Sequence, residues 1–231
     1  MNLILLFEED FVDDEHVRLT GRRLMHVTHV HRAAVGDTLV VGRLHGRIGS
    51  GAVTRLDDEA LEMRVTLDRE PPPPLPLTLI LALPRPKVLN RVLASATSLG
   101  VKRIVLINAW RVEKSYWKSP KMSDQNLLLQ RVLGLEQARD TMLPAIEVAR
   151  LFRPFVESFV PNGRALVAHP SGAQECPRDV RGDVTLAIGP EGGFIAQEVS
   201  SLERAGFEVV TLGERILRVE TAVAALIARL F

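Results

Sequence analysis

The chain has 231 residues, a formal net charge of +1 and a hydrophobic fraction of 46%. This balance excludes a disordered chain and allows a sizeable core. The single cysteine, Cys176, excludes a disulfide framework and a cysteine-based zinc site, and is typical of a reducing compartment. No window approaches the ~18 apolar residues of a membrane span. The run Leu3–Phe7 is followed by acids rather than a cleavage site. We therefore expect a soluble, cytoplasmic protein.

The two parts of the chain differ in charge. Residues 1–70 carry nine Lys/Arg and thirteen Asp/Glu, whereas residues 77–231 carry twenty and fifteen. Residues 85–121 hold nine basic side chains and one acid, Glu113. Such a stretch is compatible with polyanion binding and equally with an ordinary solvated surface.

Four consecutive prolines and Pro76 interrupt the chain at residues 71–76. Consecutive prolines favour an extended, semi-rigid spacer and cannot donate to a sheet. The segment therefore predicts a linker, with one domain over residues 1–70 and another over residues 77–231.

The first part reads as short strands with one helix. The helix is predicted from Thr20 to Ala33, because Leu24, Val27 and Val30 recur at helical spacing. In the last strand, alternate apolar side chains indicate one buried face. The pattern predicts a small barrel-like module. The predicted strands are Leu3–Phe7, Thr38–Val41, Gly51–Leu56 and Ala60–Leu67.

The second part alternates strands and helices, which predicts an α/β fold with a parallel sheet covered on both faces. The predicted strands are Leu77–Leu83, Val101–Ile107, Ala165–Ala168, Val184–Ile188 and Phe207–Leu212. The predicted helices cover residues 88–99 with Gly100 as terminator, a stretch from the Ser123-Asp124 cap to Ala138, residues 196–205, and Glu220–Leu230.

Two strand-to-helix turns stand out, Ile188–Phe194 and Leu212–Ala222. Side by side on one sheet edge they would form a ligand crevice. Each turn alone is also compatible with a purely structural role, and neither has the spacing of a dinucleotide or P-loop motif. Ile195 offers no capping hydroxyl, so the first N–H groups of the next helix are expected to face a ligand or water. In the second turn Arg215 reads as a surface residue and Arg218 as a candidate for substrate contact.

The other polar residues indicate no metal site or nucleophilic triad. His26 and His29 are three residues apart on the predicted helix, but there is no third ligand and no HExxH motif. We expect these histidines to be solvated or to face RNA. Cys176 lies in a polar stretch flanked by proline.

Together and in this order, the two turns resemble the signature of the ribosomal RNA small-subunit methyltransferase E family, within the SPOUT class of S-adenosylmethionine-dependent enzymes. Weaker similarity covers His26–Asp37 and Leu99–Ile104. The resemblance implies a PUA-like RNA-binding domain followed by a SPOUT domain with a C-terminal trefoil knot. It further implies a homodimer that methylates N3 of a uridine in 16S rRNA of the small ribosomal subunit.

The resemblance also assigns candidate roles. The S-adenosylmethionine pocket would comprise Ala168, His169, Ile188, Gly189, Pro190, Glu191, Gly192, Gly193, Leu212, Gly213, Ile216, Leu217 and Thr221. RNA contacts would come from Arg18, Arg32, Lys87, Arg91, Arg111 and Lys114. On physical grounds Arg218 is our candidate for the catalytic residue, since an arginine could favour the anion left when the N3 proton departs.

Three positions depart from the family pattern. Ser98 stands where the family often has an acid, and Ile195 stands where it usually has Ser or Thr. The segment that ends at Asp140 reads EQARD, where the family often has EQSGR. We interpret these positions as lining the RNA side. Two alternatives stay open: a non-catalytic RNA-binding protein on the same scaffold, and a methyltransferase acting on another RNA such as tRNA.

Overall fold

The computed structural model describes residues 2–172 and 174–231. These residues form two compact units. The first unit holds the chain up to Pro73 together with Val132–Leu143, and the second holds Pro74–Arg131 and Pro144–Phe231. Residues 132–143 thus pack with the first unit, although they lie beyond the proline segment in sequence.

The first unit contains a five-stranded sheet in the order β1-β3-β4-β5-β2. Strand β1 pairs in parallel with β3, and the other neighbours are antiparallel. The four predicted strands are confirmed with small shifts in their ends, whereas β2 was missed, since it has only four residues, although their alternation is typical of a half-buried strand. The strands are β1 (Ile4–Leu6), β2 (His16–Leu19), β3 (Thr38–Arg43), β4 (Ile48–Leu56) and β5 (Leu61–Arg69).

The helix predicted over Thr20–Ala33 is shorter and irregular. Helix α1 covers Gly21–His26 and continues as a π turn over Val27–His31. Leu24 and Val27 are buried as predicted, but Val30 is 64% exposed. A π turn contains more residues than an α turn. It therefore moves Val30 off the face that packs on the sheet.

Buried ionic side chains hold the inserted residues 132–143 within the first unit. Glu136 is buried, and the Arg22 guanidinium approaches its carboxylate at 3.0 Å. Asp140 is also buried and accepts a hydrogen bond from the Met142 backbone N at 2.9 Å. A side chain so enclosed does not face RNA, so our interpretation of Asp140 is wrong.

The second unit contains a parallel seven-stranded sheet in the order β10-β12-β9-β11-β6-β7-β8. The predicted parallel α/β arrangement is confirmed, and the central strands β6 and β11 are buried along their length. The strands are β6 (Leu77–Ala82), β7 (Arg103–Ile107), β8 (Ala145–Ala149), β9 (Arg164–Ala168), β10 (Gln174–Glu175), β11 (Val184–Ile188) and β12 (Glu208–Thr211).

Helix α2 packs against α6, and α4 packs against α5. The predicted cap of α3 is present, since Ser123 Oγ accepts a hydrogen bond from Asn126 N at 3.3 Å. Ser98 is half-buried, and its Oγ donates to Ser95 O at 2.8 Å within α2; the interpretation that it lines the RNA side stays a prediction. Helix α3 begins in the second unit and ends in the first. The helices are α2 (Pro86–Ser98), α3 (Asp124–Ala138), α4 (Phe152–Ser158), α5 (Ala196–Arg204) and α6 (Val219–Leu230).

Cys176 belongs to the core of the second unit, despite its polar neighbours in sequence. Its side chain is buried, and this burial raises the pKa of the thiol. Its backbone N donates to Thr211 O at 2.8 Å. The residue therefore packs as a small apolar side chain.

Two further observations concern the described part of the chain. None of its helices is long and apolar enough to cross a membrane. No three of its His, Cys, Asp and Glu side chains cluster closely enough to hold a metal ion. His29 Nδ1 instead lies 2.9 Å from Met25 O, and the His26 ring meets the His31 ring edge-on.

Candidate functional site

A cavity of about 400 Å³ lies at the carboxyl ends of three adjacent strands, β12, β9 and β11. We call it the three-loop cavity, because each of these strands continues into a loop that lines it. The residue patterns predict this crevice from two turns, and the family resemblance already placed Ala168 and His169, in the loop after β9, in the same pocket. The lining residues are Arg111, Ala168, His169, Pro170, Ile188, Gly189, Pro190, Glu191, Gly192, Gly193, Val210, Thr211, Leu212, Gly213, Arg215, Ile216, Leu217, Val219, Ala222 and Leu226.

The loop after β11, Gly189–Phe194, requires glycine for steric reasons, and we call it the glycine turn. A Cβ at Gly189 would lie 2.8 Å from the backbone N of Phe194. A Cβ at Gly192 would lie 2.8 Å from Arg111 Cδ. The turn is closed by Gly193 N, which donates to Pro190 O at 2.7 Å. The turn therefore needs glycine at both positions for its own packing.

Two side chains from other segments, Arg111 and His169, and one side chain of the turn itself, Glu191, fix the glycine turn in place. Arg111 donates to the Gly192 carbonyl. Glu191 Oε1 accepts a hydrogen bond at 2.9 Å from the backbone N of Arg85, at the start of α2. His169 Nε2 lies 3.2 Å from Phe194 O. The turn is thus tied to the loops after β6, β7 and β9.

The tautomer of His169 follows from its neighbours. The backbone N of Ser171 lies 3.2 Å from Nδ1 and can only donate, so Nδ1 is an acceptor. Ser171 Oγ lies 2.6 Å from the same nitrogen. The proton of the neutral ring therefore sits on Nε2 and is donated to Phe194 O. In this form His169 joins the loop after β9 to the glycine turn.

The loop after β12, Leu212–Arg218, is far more exposed, and we call it the arginine loop. Ile216 is 83% exposed and Leu217 is 38% exposed. Arg215 lines the cavity, although its sequence context reads as ordinary surface. Gly213 has a φ of +103°, which favours glycine.

Two residues predicted for catalysis or cofactor binding, Arg218 and Thr221, do not line the three-loop cavity. Arg218 is the exposed N-cap of α6, and its carbonyl accepts a hydrogen bond from Ala222 N at 2.8 Å. Thr221 is exposed on the first turn of α6. A helix turns by about 100° per residue. The cavity is therefore reached by Val219 and Ala222, whereas Thr221 points to solvent.

Glu198, the third residue of α5, carries a buried carboxylate that the sequence did not bring to notice. Its Oε2 accepts a hydrogen bond from Ile195 N at 3.0 Å, and its Oε1 accepts one from Trp110 N at 2.7 Å. Glu198 thus caps Ile195 N, whereas the expectation that the first N–H groups of α5 face a ligand or water stays a prediction. The signal was present, because a Glu at the third helical position commonly reaches back to the cap residue.

The six residues predicted to contact RNA are all exposed. In the first unit, Arg18 lies on β2 at 4.0 Å from Glu62, and Arg32 ends the π turn with a φ of +52°. In the second unit, Arg91 Nη1 lies 3.3 Å from Glu220 Oε1, while Lys87 and Lys114 are solvated. Arg111 lines the three-loop cavity instead of extending freely from the surface.

Comparison with known proteins places this geometry in context. Residues 71–231 match the RNA methyltransferase domain family. Over 97% of its length the chain is 30% identical to the ribosomal RNA small subunit methyltransferase E of Treponema pallidum, covering 88% of that protein. The corresponding enzyme of Mycobacterium bovis is 27% identical, with 88% of this chain and 81% of that one covered.

The fold is shared with solved structures. A crystal structure of a ribosomal RNA small subunit methyltransferase E from Neisseria gonorrhoeae, bound to S-adenosylmethionine, matches 99% of this chain and 95% of that chain. Its TM-score is 0.78 at 24% identity. A putative methyltransferase from Legionella pneumophila, also in complex with S-adenosylmethionine, matches with the same TM-score and identity. On the strength of the domain match and the Treponema relative, the chain belongs to the ribosomal RNA small subunit methyltransferase E family of RNA methyltransferases.

Proposed function

We propose that this protein transfers a methyl group from S-adenosylmethionine to N3 of a uridine in 16S rRNA of the small ribosomal subunit. The observation that carries the proposal is the three-loop cavity, whose glycine turn is held open by Arg111, Glu191 and His169. Family membership supports the reaction class, and the relatives' names support the choice of rRNA.

The residues of the three-loop cavity suit S-adenosylmethionine. Its volume of about 400 Å³ lies within the range of small-molecule sites, about 300–1,000 Å³. Ile188, Leu212 and Leu226 offer apolar contacts for an adenine ring. The glycine turn offers backbone polar groups without Cβ obstruction. We therefore propose Ala168, His169, Ile188–Gly193, Leu212, Gly213, Ile216 and Leu217 as cofactor contacts, and we withdraw Thr221.

When bound, the cofactor supplies an electrophilic sulfonium methyl group, so the protein's task is to position the acceptor nitrogen. Uracil N3 carries a proton that must leave. Arg218 follows the cavity-lining Leu217 directly and is exposed, so its guanidinium is available to a base brought to the cavity. A fixed positive charge there favours the uracil anion electrostatically. We therefore retain Arg218 as the proposed catalytic residue.

The base must leave any stacked helix to reach the cavity. We propose that Arg18, Arg32, Lys87, Arg91 and Lys114 bind the RNA backbone, and that Arg111 acts at the cavity. The family assignment also supports a PUA-like character for residues 1–70, a trefoil knot in residues 77–231, a homodimer and a cytoplasmic location. We propose each of these features as well.

The deciding assay incubates the protein with isotopically labelled S-adenosylmethionine and with one RNA substrate at a time. The substrates are isolated small ribosomal subunits, naked rRNA and tRNA. We expect label in 16S rRNA, presented either in the subunit or alone. Label confined to tRNA would reject the proposed substrate while keeping the enzyme class.

A cofactor titration separates the remaining alternative. If calorimetry detects no binding at millimolar S-adenosylmethionine while RNA still binds, the protein is a non-catalytic RNA-binding member of the family. Binding of the cofactor with no RNA labelled would point to a substrate outside the three tested.

A further inference from the structure

A second cavity, of about 660 Å³, lies beside the carboxyl end of β7 in the second unit. We call it the tryptophan cavity. One wall is the segment Asn108–Trp110, directly after β7, and the others are α4 and α5. The proposed methyl transfer does not use it. Its aromatic and polar lining includes Asn108, Trp110, Phe152, Arg153, Ser201 and Arg204.

Trp110 is a large aromatic side chain held out into solvent. Its side chain is 79% exposed, whereas core residues of this protein are almost completely buried. Its backbone is nevertheless fixed, because the buried Glu198 carboxylate accepts a hydrogen bond from Trp110 N at 2.7 Å. An exposed indole on a fixed backbone is suited to stack a planar ligand, and nucleobases stack on such rings irrespective of sequence.

The tryptophan cavity adjoins the three-loop cavity. Trp110 lines the first and Arg111 lines the second, and consecutive Cα atoms are only ~3.8 Å apart. Ile195, which lines the tryptophan cavity, follows the glycine turn directly. A strand that delivers one base to the three-loop cavity would therefore bring a neighbouring nucleotide to Trp110.

Two arginines and two carboxylates line the tryptophan cavity, and Arg204 offers the positive charge that an anionic strand requires. Arg204 donates to Ser200 O at 3.2 Å and to Ser201 Oγ at 3.1 Å, and these neutral partners leave its positive charge uncompensated. Arg153 pairs with Glu157 at 2.7 Å on the surface, an exchangeable contact. Phe152 packs against Phe194 with ring centroids 6.0 Å apart, so the floor of the cavity is continuous with the glycine turn.

We propose that the tryptophan cavity binds a nucleotide next to the methylated one in the same RNA strand. Its base stacks on Trp110 and its phosphate lies near Arg204. The inference rests on the proposed function only in taking RNA as the substrate. The competing occupant is a second copy of this chain covering Trp110, and the test includes that outcome.

The test measures binding of a fluorescently labelled uridine tetranucleotide by anisotropy, without cofactor, and stacking by quenching of tryptophan fluorescence. The chain has two tryptophans, so in Trp117→Phe the tryptophan fluorescence comes from Trp110 alone. We expect quenching on addition of the oligonucleotide. Trp110→Ala should weaken binding about 10-fold, as expected for losing one stacked base, and Trp110→Phe should retain most of it. Val160→Ala, which trims another exposed apolar side chain, should change nothing.

Equal affinity of Trp110→Ala and the natural protein for the oligonucleotide would overturn the proposal. So would a Trp110→Ala variant that changes oligomeric state in sedimentation while binding RNA normally, since the surface would then be a protein interface. The outcome is separable from the methyl-transfer assay. Methylation unaffected by Trp110→Ala rejects this site alone, whereas Trp110-dependent RNA binding without methylation rejects the enzyme function alone.

Discussion

The glycine turn and the arginine loop line the same cavity, yet they are built in opposite ways. Gly189, Pro190 and Phe194 are buried, and hydrogen bonds tie the turn to three other loops. In the arginine loop Ile216 projects into solvent at 83% exposure. The difference indicates a division of labour. A preorganised turn suits a small cofactor of fixed shape, and an exposed loop suits a large substrate that completes the site when it binds.

The largest expected effect comes from filling the glycine turn. Gly189→Ala places a Cβ 2.8 Å from Phe194 N, and backbone cannot yield as a flexible side chain can. We expect S-adenosylmethionine affinity to fall by at least about 100-fold, equivalent to about 3 kcal/mol. Calorimetry measures the affinity, and a thermal melt checks that the variant is folded. Ile216→Ala trims an exposed proposed cofactor contact in the arginine loop and should cost far less affinity, and equal losses in both variants would erase the distinction between the two segments.

Arg218 tests the arginine loop by catalysis instead of cofactor binding. Removing one positioned charge from a reacting centre commonly costs about 10²–10³-fold in turnover. Arg218→Ala should therefore reduce single-turnover methylation by about that factor, while cofactor affinity stays within twofold because Arg218 does not line the cavity. Arg218→Lys should recover part of the rate. A normal rate in Arg218→Ala would remove the residue from the mechanism.

His169 tests the anchoring of the glycine turn at smaller scale. His169→Ala removes the hydrogen bond to Phe194 O, and one such bond contributes about 1 kcal/mol, so cofactor affinity should fall about 5- to 10-fold. His169→Gln can still place a donor at that carbonyl and should restore most of the affinity. If the Gln variant is as weak as the Ala variant, the ring acts through packing and not through the bond to Phe194.

The smallest expected effect on cofactor affinity comes from substituting Cys176, which serves as a control for the core near β12. Because burial raises the pKa of its thiol, the residue should react with a thiol reagent only as fast as the protein unfolds. Cys176→Ala should leave cofactor affinity unchanged. Rapid labelling of the folded protein at neutral pH would show that this part of the second unit is open.

The sequence predicts the parallel sheet and the two turns well, for a simple physical reason. Strand β11 is found at its observed bounds because Val184–Ile188 is apolar except for Thr185 and ends before a glycine. Strand β8 and helix α4 escape prediction, since Ala145–Ala149 is partly polar at a sheet edge and Pro154 obscures a seven-residue helix. Short edge elements are stabilised by their neighbours more than by their own pattern.

Long-range contacts decide the rest, and these a linear reading does not reveal. The burial of Glu136 depends on Arg22, which lies 114 residues earlier in the chain. The capping role of Glu198 toward Ile195 is local and was readable, but its bond to Trp110, 88 residues away, was not. The arrangement of polar side chains around the glycine turn is set in the same way, by residues that the fold brings together.

The most direct test of the central claim is nucleoside analysis of 16S rRNA after incubation of unmethylated small subunits with the protein and S-adenosylmethionine. The account predicts one new 3-methyluridine, absent when Gly189→Ala replaces the natural protein. A methyl group on another atom or another base would contradict it, and so would full product from the Gly189→Ala variant.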